Sequence, residues 1–577
     1  MSAVLTAQEP SAKYLVNLQP PLVRHFDLIA QAPGGVARLR ELILTLAVQG
    51  KLVPQAPSDE PASELLQKIR AEKDRLIAEG KIKRDKPLAE IADEEKPFEL
   101  PKSWVWVRLG DVGYTNIGLT YSPKDISDRG VPVLRSNNVQ AGKLNLSDLK
   151  RVAMKVKDSV LVAEGDLLIC ARNGSKALVG KTAKITGLTE SMAFGAFMAI
   201  FRSSVNDYVL HFINAPLFRK MISDVNTTTI NQITQENLRG TLFPLPPLAE
   251  QSRIVTRVEE LMQLCDALEA SGQLEAQQHA QLVNTLLGTL TQSETPEALA
   301  DNWQRIATHF DLLLDRPEAV DALEQTIFQL AVRGLLVPQD PTDEPASVLL
   351  QKIRTEKDHL IAQGKIKCDK PLPLITDEEK PFELPQGWEW SSLATVGFIN
   401  PRNYVADDAS ASFVEMRSIP VAYGETHISE ERPWRDIKSG FTHFAEGDVG
   451  VAKITPCFEN GKSTVFQNLC NGVGAGTTEL HVVRPLCGLV PQYVLLFLKS
   501  PDFLKAGEGV MTGSAGQKRL PRAYFENTPF PLPPLAEQSR IVTRVNELRS
   551  LCTDLRQRLT AGQAVQAHLA DALATPN

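Results

Sequence analysis

The chain has 577 residues, 43% hydrophobic and 23% charged, with a formal net charge of −7. That length is too great for one hydrophobic core and predicts roughly three to five folding units of ordinary globular composition. No apolar run approaches the roughly 18 residues of a membrane span. The first thirty residues lack a signal peptide's apolar block, and seven cysteines without CxxC pairs fit a reducing cytoplasm and argue against a disulfide frame or zinc cluster.

Residues 1–21 are polar and proline-bearing and read as a flexible tail. Residues 22–106 predict a helical frame. One helix runs from about Val36 to Gln49 and stops at Gly50, a suitable left-handed terminator; another runs from about Pro61 to Glu79 and stops at Gly80. KIKRDK, from Lys81, reads as a basic loop. Residues 107–248 change character: short apolar stretches (VPVLRSNNV, GDLLICARNG, AKITGL) alternate with Gly and Asn and predict strands and turns, with one helix from about Asp207 to Ile222. Val107–Leu242 carries 17 Lys/Arg against 11 Asp/Glu, a net of +6 inside an acidic chain. Such a local excess is the kind of signal a nucleic-acid surface leaves.

The sixteen residues FPLPPLAEQSRIVTRV, Phe243–Val258, end this segment and recur unchanged at Phe530–Val545. The prolines stiffen a connector and deny helix to the residues before them. A long helix, 249–295, follows, with Ile254, Val258, Leu261, Cys265 and Leu268 stepping 4, 3, 4, 3. That is a seam for lengthwise packing on another helix. The pattern then starts again. Residues 296–390 repeat 22–106 at an offset of 284: LAVQGKLVPQ returns as LAVRGLLVPQ, and Trp104 and Trp106 return as Trp388 and Trp390. Residues 391–535 form a second α+β segment, with 13 basic against 14 acidic residues from Ser391 to Thr528. Residues 536–577 are a second long helix, now at an offset of 287, with the seam Ile541, Val545, Leu548, Cys552 and Leu555. The repeated parts read as chassis and the differing parts as readers, with the two long helices expected to lie together as a rigid spacer.

These features resemble the specificity (S) subunit of Type I restriction-modification systems over nearly the whole chain. The resemblance rests on the PLPPLxEQ connectors at Pro244–Gln251 and Pro531–Gln538 and the ELPxxWxW segments at Glu99–Trp106 and Glu383–Trp390. It implies an α+β protein whose two target recognition domains are joined and spaced by long helices in an antiparallel, coiled-coil-like pair with pseudo-two-fold symmetry. It also implies a non-catalytic subunit reading both halves of a gapped site in double-stranded DNA. Two modification (M) subunits would bring S-adenosylmethionine and restriction (R) subunits ATP and Mg; this chain would hold no cofactor or metal, and no membrane is involved.

An enzymatic reading finds little to stand on. The Asn/Asp-Pro-Pro-aromatic loop of amino-methyltransferases is missing, since Asn400-Pro401-Arg402-Asn403 does not fit. Gly472–Gly476 follows no clear strand and opens no helix, so a cofactor loop is not expected there. Asn460–Ser463 imitates a P-loop end, but Pro456 stands where its first glycine belongs. Glu164-Gly165-Asp166 and Glu446-Gly447-Asp448 predict tight turns rather than a nuclease metal site, and His443, Cys457, Cys470 and His481 are read as scattered core residues. The alternatives are a single-chain methyltransferase or nuclease with duplicated domains, and a two-arm adaptor binding proteins rather than DNA.

Reading bases takes Arg, Lys, Asn, Gln, Ser or Thr at groove edges. The candidates in the first domain are Arg135, Ser136, Asn137 and Asn138; Arg172, Asn173, Lys176 and Lys181; and Thr228, Asn231 and Gln232. In the second they are Arg417 and Ser418; Lys453 and Lys462; Thr477 and Thr478; and Gln517, Lys518 and Arg519.

Overall fold

The computed structural model describes residues 20–140, 142–225, 231–364, 375–514 and 516–574. Helices form where an apolar stripe and end signals coincide. Gly35–Val48 and Ala62–Ala78 make the first frame, Pro317–Val332 and Ala346–Ala362 the second. Gly50 (φ +68°) and Gly334 (φ +72°) follow the first helix of each frame in the left-handed region. A Cβ there would be strained and would also meet the ring of Pro101 at 2.6 Å or Pro385 at 2.4 Å.

The chain divides into two compact units: one holds the residues up to Leu274 and from Gln563, the other Glu275–Gly562. The long helices Leu248–Thr291 and Leu535–Ala574 each give residues to both. In the first unit Ile254, Val258, Leu261 and Cys265 are buried in one core with Leu39 and Ile43 of the frame, and Leu268 packs at its margin. In the second, Ile541, Val545 and Cys552 share a core with Val320 and Phe328, with Leu548 and Leu555 partly buried against it. The neighbour expected for the seam was the other long helix. Within each unit a frame helix is a neighbour as well, close enough for Arg40 to reach Asp266 (2.5 Å) and Glu269 (2.8 Å), and Glu324 to reach Arg549 (2.5 Å) and Arg556 (2.7 Å). A 4-3 stripe demands a helical neighbour without naming it.

Among the described residues each of the two α+β segments contains two four-stranded sheets. In the first domain one sheet orders Tyr114–Ile117, Met198–Arg202, Leu167–Cys170 and Thr182–Lys184, all antiparallel. The other orders Ala193–Phe194, Val131–Leu134, Lys150–Val152 and Ile126–Ser127, its first pair parallel. The second domain has the same kind of antiparallel sheet, Gly397–Ile399, Leu480–Pro485, Val449–Ala452 and Ser463–Val465. Where one helix was expected at 207–222 there are two, Asn206–Asn214 and Pro216–Val225. Pro216 cannot donate into the preceding turn and holds Ala215 extended (ψ 150°). Pro501 separates Pro491–Leu498 from Pro501–Val510 in the same way.

The repeated motifs close each α+β segment at its base. Val105–Arg108 pairs antiparallel with Leu242–Leu245, and Glu389–Ser392 with Pro529–Leu532, so each domain begins and ends on one ribbon. The Trp104 indole N–H donates to Glu250 at 3.0 Å and Gln55 to the same carboxylate at 2.6 Å. Trp388 and Gln339 bind Glu537 at 2.9 and 3.2 Å. Burial pushes both carboxyls above the usual glutamate range, opposed by these hydrogen bonds. Gln251 and Gln538 donate to the Pro246 and Pro533 carbonyls at 2.8 and 3.0 Å. The Glu-Gln of each connector thus fastens the long helix to the tryptophan that leads into the domain.

Candidate nucleic-acid interface

In the first α+β domain the expected loci gather around residues 171–181, the loop between the strands Leu167–Cys170 and Thr182–Lys184. Asn173 and Lys181 line a polar cleft of about 410 Å³ with Ser136, Asn137 and Gln140. Arg172 and Gln232 share a second cleft, about 260 Å³, with the exposed ring of Phe197, over which the Arg172 guanidinium sits at 5.4 Å. Lys176 and Asn231 line a third, about 390 Å³, with Arg219 and Lys220. Asn231 ties the loop down, donating to the Gly174 carbonyl at 3.2 Å and accepting the Asn173 amide at 3.3 Å. Thr228 lies outside the described residues.

Two residues of the Arg135–Asn138 locus have other duties. Asn138 is buried: its side-chain oxygen accepts the Arg135 amide at 2.9 Å, and its nitrogen donates to the Asn145 and Asp148 carbonyls at 2.9 and 3.0 Å. It braces the turn and offers nothing to a groove, which corrects its reading as a base contact. Its spacing from Arg135, the residue whose amide it caps, was the signal for this. Arg135 is ion-paired to Asp148 at 3.0 Å.

In the second domain Arg417 stands on the turn Met416–Ser418 with its side chain 81% exposed, beside Glu415 at 2.5 Å; Ser418 is half-buried. The Lys462 ammonium is half-buried and donates to the Met416 carbonyl at 2.9 Å, which props this turn. Lys453, Thr477, Lys518 and Arg519 come together. Arg519 binds Glu479 through Nε and Nη2 (2.9 and 2.8 Å), the Glu479 amide donates to the Thr477 hydroxyl at 3.2 Å, and the Lys518 amide to the Thr455 hydroxyl at 3.1 Å. Thr478 and Gln517 are exposed nearby in sequence.

The motifs weighed for catalysis have structural work. Gly165 (φ +86°) and Gly447 (φ +84°) form turns in which Asp166 and Asp448 accept the amides of Ala163 and Ala445, each at 2.7 Å. Each aspartate is also gripped through two oxygens by an arginine, Arg202 at 2.5 Å or Arg484 at 2.8 Å. Gly474 lies in the strand Val473–Gly476, where a Cβ would strike the Phe444 ring at 2.3 Å, so its glycine serves aromatic packing. Among the described residues no group of three or more His, Cys, Asp or Glu could hold a metal, and no helix is long and apolar enough to cross a membrane. His481 stacks on Phe525 and sits 3.1 Å from the Leu520 carbonyl; burial pulls its pKa down to about 4.

Sequence reasoning missed Phe197, Arg219 and Lys220. A lone exposed aromatic leaves no periodic signal, and the two cations were absorbed into an amphipathic helix.

Residues 101–277 match the Type I restriction modification DNA specificity domain. Full-length similarity carries the match through both halves. The chain is 38% identical over 568 residues to the Type I restriction enzyme EcoAI specificity subunit of Escherichia coli, covering 93% of each. It is 35% identical over 566 residues to the EcoEI specificity subunit of Escherichia coli, again covering 93% of each. The EcoKI specificity subunit of Escherichia coli strain K12 is 30% identical over 464 residues, 78% of this chain and 83% of that one. The chain belongs to the Type I restriction enzyme specificity subunits and is a non-catalytic subunit that supplies DNA specificity.

Proposed function

We propose that this subunit reads a bipartite, gapped site in double-stranded DNA. The domain at 107–248 would read one half and the domain at 391–535 the other, with the residues around 171–181 and 453–519 facing the DNA. The long helices act as an antiparallel pair that sets the distance between the readers with pseudo-two-fold symmetry, because half-site spacing follows the distance between reading elements. Two modification subunits, holding S-adenosylmethionine, dock on this frame, and restriction subunits holding ATP and Mg join them in the cytoplasm; no cofactor sits on this chain.

One observation carries the reading: the base of each domain is repeated contact for contact, Trp104–Glu250 as Trp388–Glu537 and Arg253–Asp59 as Arg540–Asp343, while the loops above it differ. A common mount with dissimilar heads is what two unlike half-sites require.

The test is selection from randomised duplex DNA by the full chain, with and without the modification subunit. Enrichment of two short motifs at a constant gap supports the reading. Binding without sequence preference, or methyl transfer or cleavage by the chain alone, overturns it.

A further inference from the structure

The two recognition domains share a junction of three loops whose backbone is the same and whose side chains are not. In the first domain the Ala171 amide donates to the Phe197 carbonyl at 2.9 Å, the Ile233 amide donates to the Ala171 carbonyl at 2.7 Å, and Arg172 bridges to Gln232. In the second the Lys453 amide donates to the Glu479 carbonyl at 2.9 Å, the Leu520 amide to the Lys453 carbonyl at 2.7 Å, and Ile454 bridges to Arg519. The strands beneath agree in register: Met198 pairs with Cys170 as Leu480 pairs with Ala452. Position by position, Arg172, Phe197 and Gln232 correspond to Ile454, Glu479 and Arg519.

Because the bonds that the two junctions share use main-chain N–H and C=O, the three side chains of the first junction can be exchanged without removing that support. A reading site needs this property, a rigid mount with replaceable chemistry. Three of the six side chains are exposed, Arg172, Arg519 and the ring of Phe197 at 60%, and Gln232, Ile454 and Glu479 are half-buried.

We propose that this junction is the base-selecting site of each recognition domain, and that the exchange of Arg172, Phe197 and Gln232 for Ile454, Glu479 and Arg519 makes the two half-sites differ. The proposal rests on the bipartite reading above. In the first domain an arginine on an aromatic face and a glutamine offer a fork for guanine O6/N7, an apolar surface for a thymine methyl and an amide for adenine N6/N7. In the second, Glu479 occupies the Nε/Nη2 edge of Arg519 and fixes its plane, while Nη1 makes one long contact with the Gln517 carbonyl at 3.5 Å and keeps a second N–H for an acceptor such as guanine O6 or N7.

The experiment transplants the second chemistry onto the first mount in the full chain, as Arg172→Ile, Phe197→Glu and Gln232→Arg together, with the single change Gln232→Ala as a milder variant. Each is selected against randomised duplex DNA with the modification subunit present, and thermal melting checks the fold. The expected result is a changed preference at one to three adjacent base pairs of one half-site, about tenfold or more at each, with the other half-site and the gap unchanged. A uniform loss across all sequences, or an unchanged preference in a variant that melts normally, overturns the proposal. Should the triple variant fail to fold, Gln232→Ala decides: it must relax one base pair of one half-site. If the unaltered chain selects no two-part site, the bipartite reading itself has failed.

Discussion

Arg40 donates to Glu269 at 2.8 Å, and the residues at the same places in the second repeat, Glu324 and Arg556, make the same contact at 2.7 Å with the charges exchanged. The frame and connector motifs of the two halves are otherwise so alike that a frame helix could satisfy the wrong long helix. At this position a wrong pairing would set arginine against arginine and glutamate against glutamate. Arg40 and its partners are 30–72% exposed, so Arg40→Glu should cost only about 0.5–1 kcal/mol. Glu324 is 13% exposed between Arg549 and Arg556, so Glu324→Arg should cost more, about 1–3 kcal/mol, and Glu324→Arg with Arg556→Glu should recover part of it. Denaturant melts of the four chains check the order.

The tryptophan–glutamate latch should behave alike in both halves. Glu250→Ala leaves the indole N–H of Trp104 without its acceptor, and Glu537→Ala does so for Trp388. Each should lower stability by about 1–3 kcal/mol, and each should weaken DNA binding at one half-site only. Calorimetry and half-site competition provide the two readouts; a latch change that weakens both half-sites equally would contradict the division of labour.

The Glu-Gly-Asp turns give a sharper contrast between structure and catalysis. Asp166→Asn or Asp448→Asn weakens the grip of a buried carboxylate on Arg202 or Arg484, which are 34% and 29% exposed, at an expected cost of about 1–3 kcal/mol. If instead either change left the melting temperature alone and altered a divalent-metal dependence, the turn assignment would be wrong.

Acid should loosen the second recognition domain. Burial depresses His427, His443 and His481 below the ordinary histidine range, His481 to about 4. A depressed histidine contributes stability that is present above its unfolded pKa near 6.5 and lost as pH falls through the folded value. For His481 the loss between pH 6.5 and 4 is on the order of 3 kcal/mol. His481→Gln should flatten the pH dependence of unfolding over that window; an unchanged slope would show that the imidazole is already charged in the fold.

Much of the architecture was legible because it is repeated. Gly50, Gly80 and the prolines of the connector mark helix ends by backbone chemistry alone, and the 4-3 seam at Ile254–Leu268 announces lengthwise packing. What the seam packs against was not legible, since hydrophobic spacing is blind to partner identity. Pro216 should have split the predicted helix at 207–222, and the longer apolar period concealed it. In the candidate loops residue type was the whole signal, and type cannot separate a presented amide from a buried one. Asn137 and Asn138 are adjacent and chemically identical, yet only a turn's hydrogen bonds decide that Asn138 points inward. Phe197 became visible only when three loops distant in sequence met.

The most direct measurement is a map of methylated adenines in a host expressing this subunit with its modification partner alone. Two dissimilar short motifs, separated by one constant number of unspecified base pairs at every modified locus, are expected. An uninterrupted motif, or a spacing that varies from locus to locus, would contradict two readers on a fixed mount.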